Sequence, residues 1–228
     1  MGAEVNLKPI GRFGLVSALL VLSLINGAAG YTSPFENLPA WATASPYHVS
    51  GGTRQELRKA IREAMAGLWD DEADRDFGAA VISSYSYEIE SGPATPSRSG
   101  SGSWTCTATG WVDVSLSLVI RYPVWDDLVA CPDSALVGEW RQYMAALYDH
   151  EVGHVYIART GLRRLNRELA GLEMTAAAGS GIAACDLARR LYRDLIRKDF
   201  ERITAGISQA QEEYDSRTDY GRKRNAAF

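Results

Sequence analysis

His150-Glu151-Val152-Gly153-His154 is the stretch with the most specific chemistry in this sequence. On a helix, residues four apart leave the same face one turn apart. The two imidazoles can then bind one cation through neutral ring nitrogens, and Glu151 stands where it can take a proton from a water activated by that cation. The pattern suits Zn²⁺, which favours such donors and, when catalytic, keeps a position open beside three protein ligands. With three histidines in 228 residues, it arises by accident roughly 0.002 times per chain. Chance is therefore a poor account of it, provided the segment is helical.

The flanking sequence supplies that helix. Pro132-Asp133-Ser134 opens it, and Leu136, Trp140, Met144 and Leu147 form an apolar stripe. Val155, Leu162, Leu165, Leu169 and Leu172 continue the stripe beyond the motif, with no proline between. Gly153 and Gly161 each weaken a helix by about 1 kcal/mol relative to Ala. Gly153 would let another backbone or a strand approach the metal closely. Residues 176–181 read as a loop. A second long helix is expected over residues 183–215, burying Leu187, Leu191, Leu195 or Ile196, Phe200, Ile203 and Ile207. If the two helices fold back antiparallel about Ala177, the rise of about 1.5 Å per residue puts Asp199 and Glu201 level with the motif. For each of those carboxylates alone, a plain surface charge beside Arg197, Lys198 and Arg202 is the favoured reading.

Strands are expected ahead of these helices. Residues 31–46 form an extended lead-in, with Phe35, Leu38 and Trp41 packing on the domain. Tyr47-His48-Val49-Ser50 has strand character, Gly51-Gly52 breaks it, and Thr53-Arg54-Gln55-Glu56 makes a capping box for a helix over residues 53–67. His48 is distant from the motif and reads as structural. Residues 69–78 are acidic and turn-like. Val81, Ser83, Tyr85, Tyr87 and Ile89 alternate along a strand over residues 79–90, and residues 91–103 read as a flexible loop. Residues 104–122 make the strongest strand, with Val112, Val114, Leu116, Leu118 and Ile120 on one face and Pro123 as its end. The two strands would pair as an antiparallel hairpin laid on the helices. The six tryptophans are read as core. The expected class is α+β: an antiparallel strand pair or small sheet packed on long helices, one of which carries the motif.

Composition narrows the rest. A hydrophobic fraction of 46% and a charged fraction of 23% are ordinary for a globular chain. A net charge of −4 leaves no basic field for nucleic acid; residues 222–228 form a basic tail. Residues 1–30 read as a secretory signal. Lys8 and Arg12 precede an apolar run over residues 13–25, and small residues offer cleavage after Ala29 or Gly30. The run is short for a membrane span, so the mature chain would work outside the cytoplasm, secreted or periplasmic, with no stable membrane insertion. Cys106, Cys131 and Cys185 allow three pairings in an oxidising compartment and match no zinc-binding cysteine spacing.

The order of the pieces carries a resemblance. They are Tyr47-His48-Val49-Ser50-Gly51-Gly52-Thr53 with Glu56-Leu57, the strand after Cys106, and Tyr122-Pro123-Val124-Trp125. Trp140, Ala146-Leu147, the histidine motif, Cys185 and Tyr214-Asp215-Ser216-Arg217-Thr218-Asp219-Tyr220-Gly221 follow. The chain resembles a bacterial family of unknown function regarded as predicted secreted Zn-dependent proteases. The resemblance implies a zincin-like domain over residues 47–221, Zn²⁺ on His150 and His154, Glu151 as general base, and a Cys106–Cys185 disulfide that leaves Cys131 as the odd thiol. One position departs. The family typically ends in YDxxTxHG, and Tyr220 stands where that pattern has His. If that His is the family's third ligand, the candidates left here are Asp215, Asp219 and Tyr220.

The function expected is therefore that of an exported zinc metallopeptidase acting on a peptide or protein substrate. Two other classes fit the same sequence: a non-enzymatic envelope protein that keeps the fold with a weakened metal site, and a helical interaction module.

Overall fold

The computed structural model describes residues 31–38, 42–66, 78–100, 102–219 and 221. The signal-like segment, Trp41, most of the acidic turn, Tyr220 and the basic tail lie outside the described residues. No helix among the described residues is long and apolar enough to cross a membrane.

Among the described residues the protein is a mixed α+β structure of two small sheets and three α-helices. The first sheet is built from β1 (Thr43–Val49), β2 (Ala80–Ser91) and β5 (Gly110–Trp125), ordered β1-β5-β2. The hairpin partners are as expected: β2 runs antiparallel to β5 from Ala80 opposite Arg121 to Ser91 opposite Gly110. The period-2 pattern of each strand turns Val81, Ser83, Tyr85 and Tyr87 to the same side as Ile120, Leu118, Leu116 and Val114. β1 adds a third strand, parallel to β5. Pro123 does not end β5. It lies beyond the last β2 pair and opposite Tyr47 of β1, where its missing N–H has no β2 partner to lose.

In the second sheet β3 (Pro96–Arg98), β4 (Trp104–Ala108) and β6 (Met174–Ala178) are all antiparallel, with β4 central. This sheet takes β3 and the end of β6 from segments read as loops, and β4 from the start of the expected long strand. β4 and β5 are the two halves of what reads as one strand, split at Thr109 and assigned to different sheets. β6 is Met-Thr-Ala-Ala-Ala, too short and too weak in strand formers to announce itself.

α1 (Arg54–Met65) starts at the expected capping box: Thr53 accepts from the Glu56 N–H, and Glu56 accepts from the N–H groups of Thr53 and Gly52. α2 (Ser134–Leu169) is capped by Asp133, and α3 (Gly181–Thr218) by Ser180. The last two are antiparallel: moving up α2, Gly153 meets Tyr214, Gly161 meets Ile207, and Glu168 meets Arg202. This register moves Asp199 and Glu201 away from the level of the motif and leaves them as surface charges, beside Arg202 and Arg197. The first half of α3 overhangs the end of α2 and packs on the second sheet, through Ala184, Cys185, Ala188, Tyr192 and Ile196 against Cys106, Ala108 and Ala176. Asp199 therefore sits by Arg202 near the far end of α2, and Asp215 is level with the motif. On the same stripe Leu191 is exposed and Tyr192 is buried in its stead.

At the other end of α2, Trp125, Trp140 and Tyr143 pack as a chain of rings 5.5–5.6 Å apart. Phe35 from the lead-in is fully buried there, stacked on Tyr122 at 4.4 Å. Trp111, by contrast, is 79% exposed, against the reading of every tryptophan as core.

A Cys106–Cys185 disulfide joins β4 to α3 across a sequence separation of 79, and Cys131 is free. A loop of that length removes about 4 kcal/mol of chain entropy from the unfolded state. Replacing both cysteines with alanine should lower stability by roughly that amount, read as a lower urea midpoint with a steeper slope, because the unbridged unfolded chain exposes more surface. An unchanged midpoint would show that the bridge adds nothing to the packing beneath it.

Candidate metal centre

α2 carries His150, Glu151 and His154 on its buried face, and the last turns of α3 lie across them. Asp215 Oδ1 is 2.8 Å from His154 Nε2 and 3.2 Å from His150 Nε2, and the two nitrogens are 3.2 Å apart. Among the described residues these three form a group that could hold a metal ion. The spacing fits. Donors about 2.0–2.1 Å from a tetrahedral ion are about 3.3 Å from one another.

The protonation pattern fits as well. Gln211 reaches His154 twice: its Nε2 donates to the His154 carbonyl at 3.1 Å, and its Oε1 lies 2.5 Å from Nδ1. An Nδ1–H donated to Gln211 leaves the lone pair of a neutral imidazole on Nε2, aimed at the Asp215 carboxylate. Ring nitrogens of two imidazoles and a carboxylate oxygen converge here, a set that a shared cation or protons between them can hold together. His150 Nδ1 is buried with no hydrogen-bond partner.

The sequence singled out the residues at the centre, and the structure brings His150, His154, Glu151 and Asp215 together. Asp219, another candidate, is instead the left-handed C-cap of α3 at φ 51°, and it lies outside the group. Tyr220 lies outside the described residues. His48 is far away, with Nδ1 2.6 Å from exposed Asp126. Gln211 and Val81 were not legible as site residues. Gln211 lies one turn before Asp215, and that spacing is a signal only once Asp215 is known to point inward.

Tyr214 explains the glycine in the motif. Its hydroxyl donates to the His150 carbonyl at 2.6 Å, and its ring stacks on His150 with centroids 5.1 Å apart. The ring crosses α2 directly over Gly153, where a Cβ would overlap both phenol oxygen and ring. The close approach anticipated at Gly153 is thus made by a side chain. Tyr47 and Tyr143 do similar work at the other wall. Tyr47 donates to the Gly78 carbonyl at 2.6 Å, and Tyr143 packs where a Gly78 Cβ would sit. They fix the chain just before β2, whose Val81 N–H donates to Glu151. β2 residues, α2 and the Ser208–Glu212 side of α3 enclose a cleft of about 310 Å³ over the four site residues.

Burial raises the Glu151 carboxyl to about 7; His154 and the Val81 N–H pull it down, and the Asp215 charge pushes it up. Burial would also raise Asp215, but hydrogen bonds and charge from both histidines outweigh it and lower it to about 2. Burial lowers His154, yet contact with Asp215, the Glu151 charge and Gln211 leave it raised.

Two outcomes follow. Gly153→Ala should cost several times the small stabilisation that Ala normally brings to a helix interior, and the cost should shrink in a Tyr214→Ala background, in a double-mutant cycle read by urea unfolding. Equal costs in both backgrounds would remove the Tyr214 explanation. The second concerns the metal-free protein. Folded Glu151 keeps its proton to about 7, whereas its ordinary value is 4.5. Its contribution to stability is therefore full below that ordinary value and is lost as pH rises through the folded one, on the order of 3 kcal/mol. His154, also raised, acts in the same sense above its ordinary 6.5, and Asp215 acts oppositely only below 3.8. Stability measured from about pH 5 to about pH 7 should fall, and Glu151→Gln should flatten the slope; an equal slope in the variant contradicts the assignment.

No curated protein and no solved structure matches this chain. A family model described as "Bacterial protein of unknown function (DUF922)" matches residues 44–221, and that description names no activity. The matched span runs from the second residue of β1 to Gly221 just past α3 and takes in every residue of the site, so the chain belongs to this family of bacterial proteins of unknown function.

Proposed function

We propose that the protein is an exported zinc metallopeptidase of zincin-like build. The observation that carries this reading is the convergence of His150, His154 and Asp215 beside buried Glu151 in a cleft. Two imidazoles and one carboxylate are a donor set used by catalytic zinc. Bound there, the ion supplies Lewis acidity toward a carbonyl and acidifies a water.

The chain's own groups do the rest. Glu151, held by the Val81 N–H, accepts a proton from the attacking water and returns it to the leaving amine. A carboxyl with a proton affinity near neutrality serves both halves of that transfer. Gln211 and Tyr214 hold the two histidines in place from α3. β2 lines the cleft and is an edge strand of its sheet, so an extended peptide can add to it by main-chain hydrogen bonds. Export is supported by the signal-like residues 1–30 and by the disulfide.

Purified mature protein should hold about one zinc per chain by elemental analysis. Glu151→Gln should retain the metal and abolish peptide hydrolysis, whereas His154→Ala or Asp215→Ala should lose the metal. Protein prepared without chelators yet free of zinc would sink the reading. Stoichiometric zinc with no hydrolysis in the wild type would favour a non-enzymatic envelope protein that keeps the site.

A further inference from the structure

A second cavity, of about 250 Å³, continues the metal cleft between β2 and α3. Ser83, Ser208 and Gln211 belong to both, so the two form one groove. Beyond them the lining is Tyr85, Phe200, Thr204 and Ile207, and no lining residue is charged. The polar atoms of this end are spent within the protein: the Tyr85 hydroxyl donates to the Ala158 carbonyl at 2.7 Å, and the Thr204 hydroxyl donates to the Phe200 carbonyl at 2.8 Å. The cavity surface is shared between polar groups on the side toward Ser83, Ser208 and Gln211 and the apolar side chains of Tyr85, Phe200 and Ile207 beyond them. Phe200 is steadied by the Tyr87 ring, with centroids 4.5 Å apart. The volume exceeds the roughly 150 Å³ that admits benzene into a protein interior.

Position along the groove follows from element geometry. Gln211, which touches His154, is seven residues from Thr204 on α3, about 10 Å by helical rise. Val81, which touches Glu151, is four residues from Tyr85 on β2, about 13 Å. An extended peptide covers about 3.4 Å per residue.

We infer that this cavity is a side-chain subsite that takes a large apolar or aromatic residue of the peptide, about three residues from the bond at the metal centre. The subsite rests on reading the cleft as a peptide site. It makes the substrate class a peptide with a bulky apolar anchor at a distance from the scissile bond, and it excludes a charged residue at that position.

The test separates the subsite from the chemistry. One peptide series, varied at each of four positions on either side of a central bond, is offered in two assays. Hydrolysis is measured with zinc-loaded wild type, and binding with zinc-loaded Glu151→Gln. Leu or Phe at one position, about three from the centre, should be favoured over Ala by about tenfold or more. Thr204→Trp, which fills the cavity, should collapse that ratio to below about twofold. Phe200→Ala, which enlarges it, should move the preference toward Trp, so the two variants act in opposite directions and one suffices if the other fails to fold. A preference that both variants leave alone, or none at all, overturns the subsite while cleavage itself stands. Selective binding that responds to both variants, with no peptide cut, keeps the subsite and removes the peptidase reading. Peptides neither bound nor cut remove both.

Discussion

The close approach of α2 and α3 is the constraint on which the site depends. Two glycines, eight residues apart on α2, take Tyr214 and Ile207 of α3 onto the helix backbone. The bare backbone at Gly153 and Gly161 makes room for those two side chains and so locks the register between the helices. That register, and nothing local to Asp215, puts a short carboxylate within 3.2 Å of both imidazoles. The glycines carry a propensity cost in the helix, and the buried Tyr214–His150 hydrogen bond and ring stacking offset it.

The electrostatics of the site are set by two carboxylates beside two buried imidazoles. Glu151 and Asp215 bring two carboxylates to a largely buried place whose bases are imidazoles. Without a cation the folded protein manages this by protonation: Glu151 keeps its proton to about 7, and His154 takes one more readily than usual. On the proposed reading a divalent ion would exchange those protons for itself, so protons and metal compete and metal affinity rises with pH. Burying the Glu151 carboxylate costs the fold stability near neutral pH, the pattern expected of a functional site.

Much of this was legible before any coordinates. The long helices, the capping box at Thr53 and the β2–β5 pairing all announce themselves through periodicity or a local hydrogen-bond code. What failed was non-local. β6 and β3 are strands because β4 lies between them, and their own residues carry no strand signal. Pro123 reads as a terminator because its neighbour β1 is far away in sequence. The level of α3 against α2 was misjudged because a chain reversal was taken as a tight turn, whereas a strand and an overhanging half-helix intervene. At the site, the two histidines and Glu151 were legible from one turn of helix, while the choice of Asp215 over Asp219 depended on which side of the α3 terminus faces α2, and Gln211 had no signal of its own.

The third donor comes 61 residues after His154 and belongs to the last turn of the last helix. The histidine pair is complete as soon as α2 has formed, but the cradle closes only when the chain has been made, and moved, as far as residue 215. A partly emerged chain can offer an ion two nitrogens and nothing more. On the proposed reading of the site, order of synthesis postpones three-donor capture of an ion until residue 215 is in place.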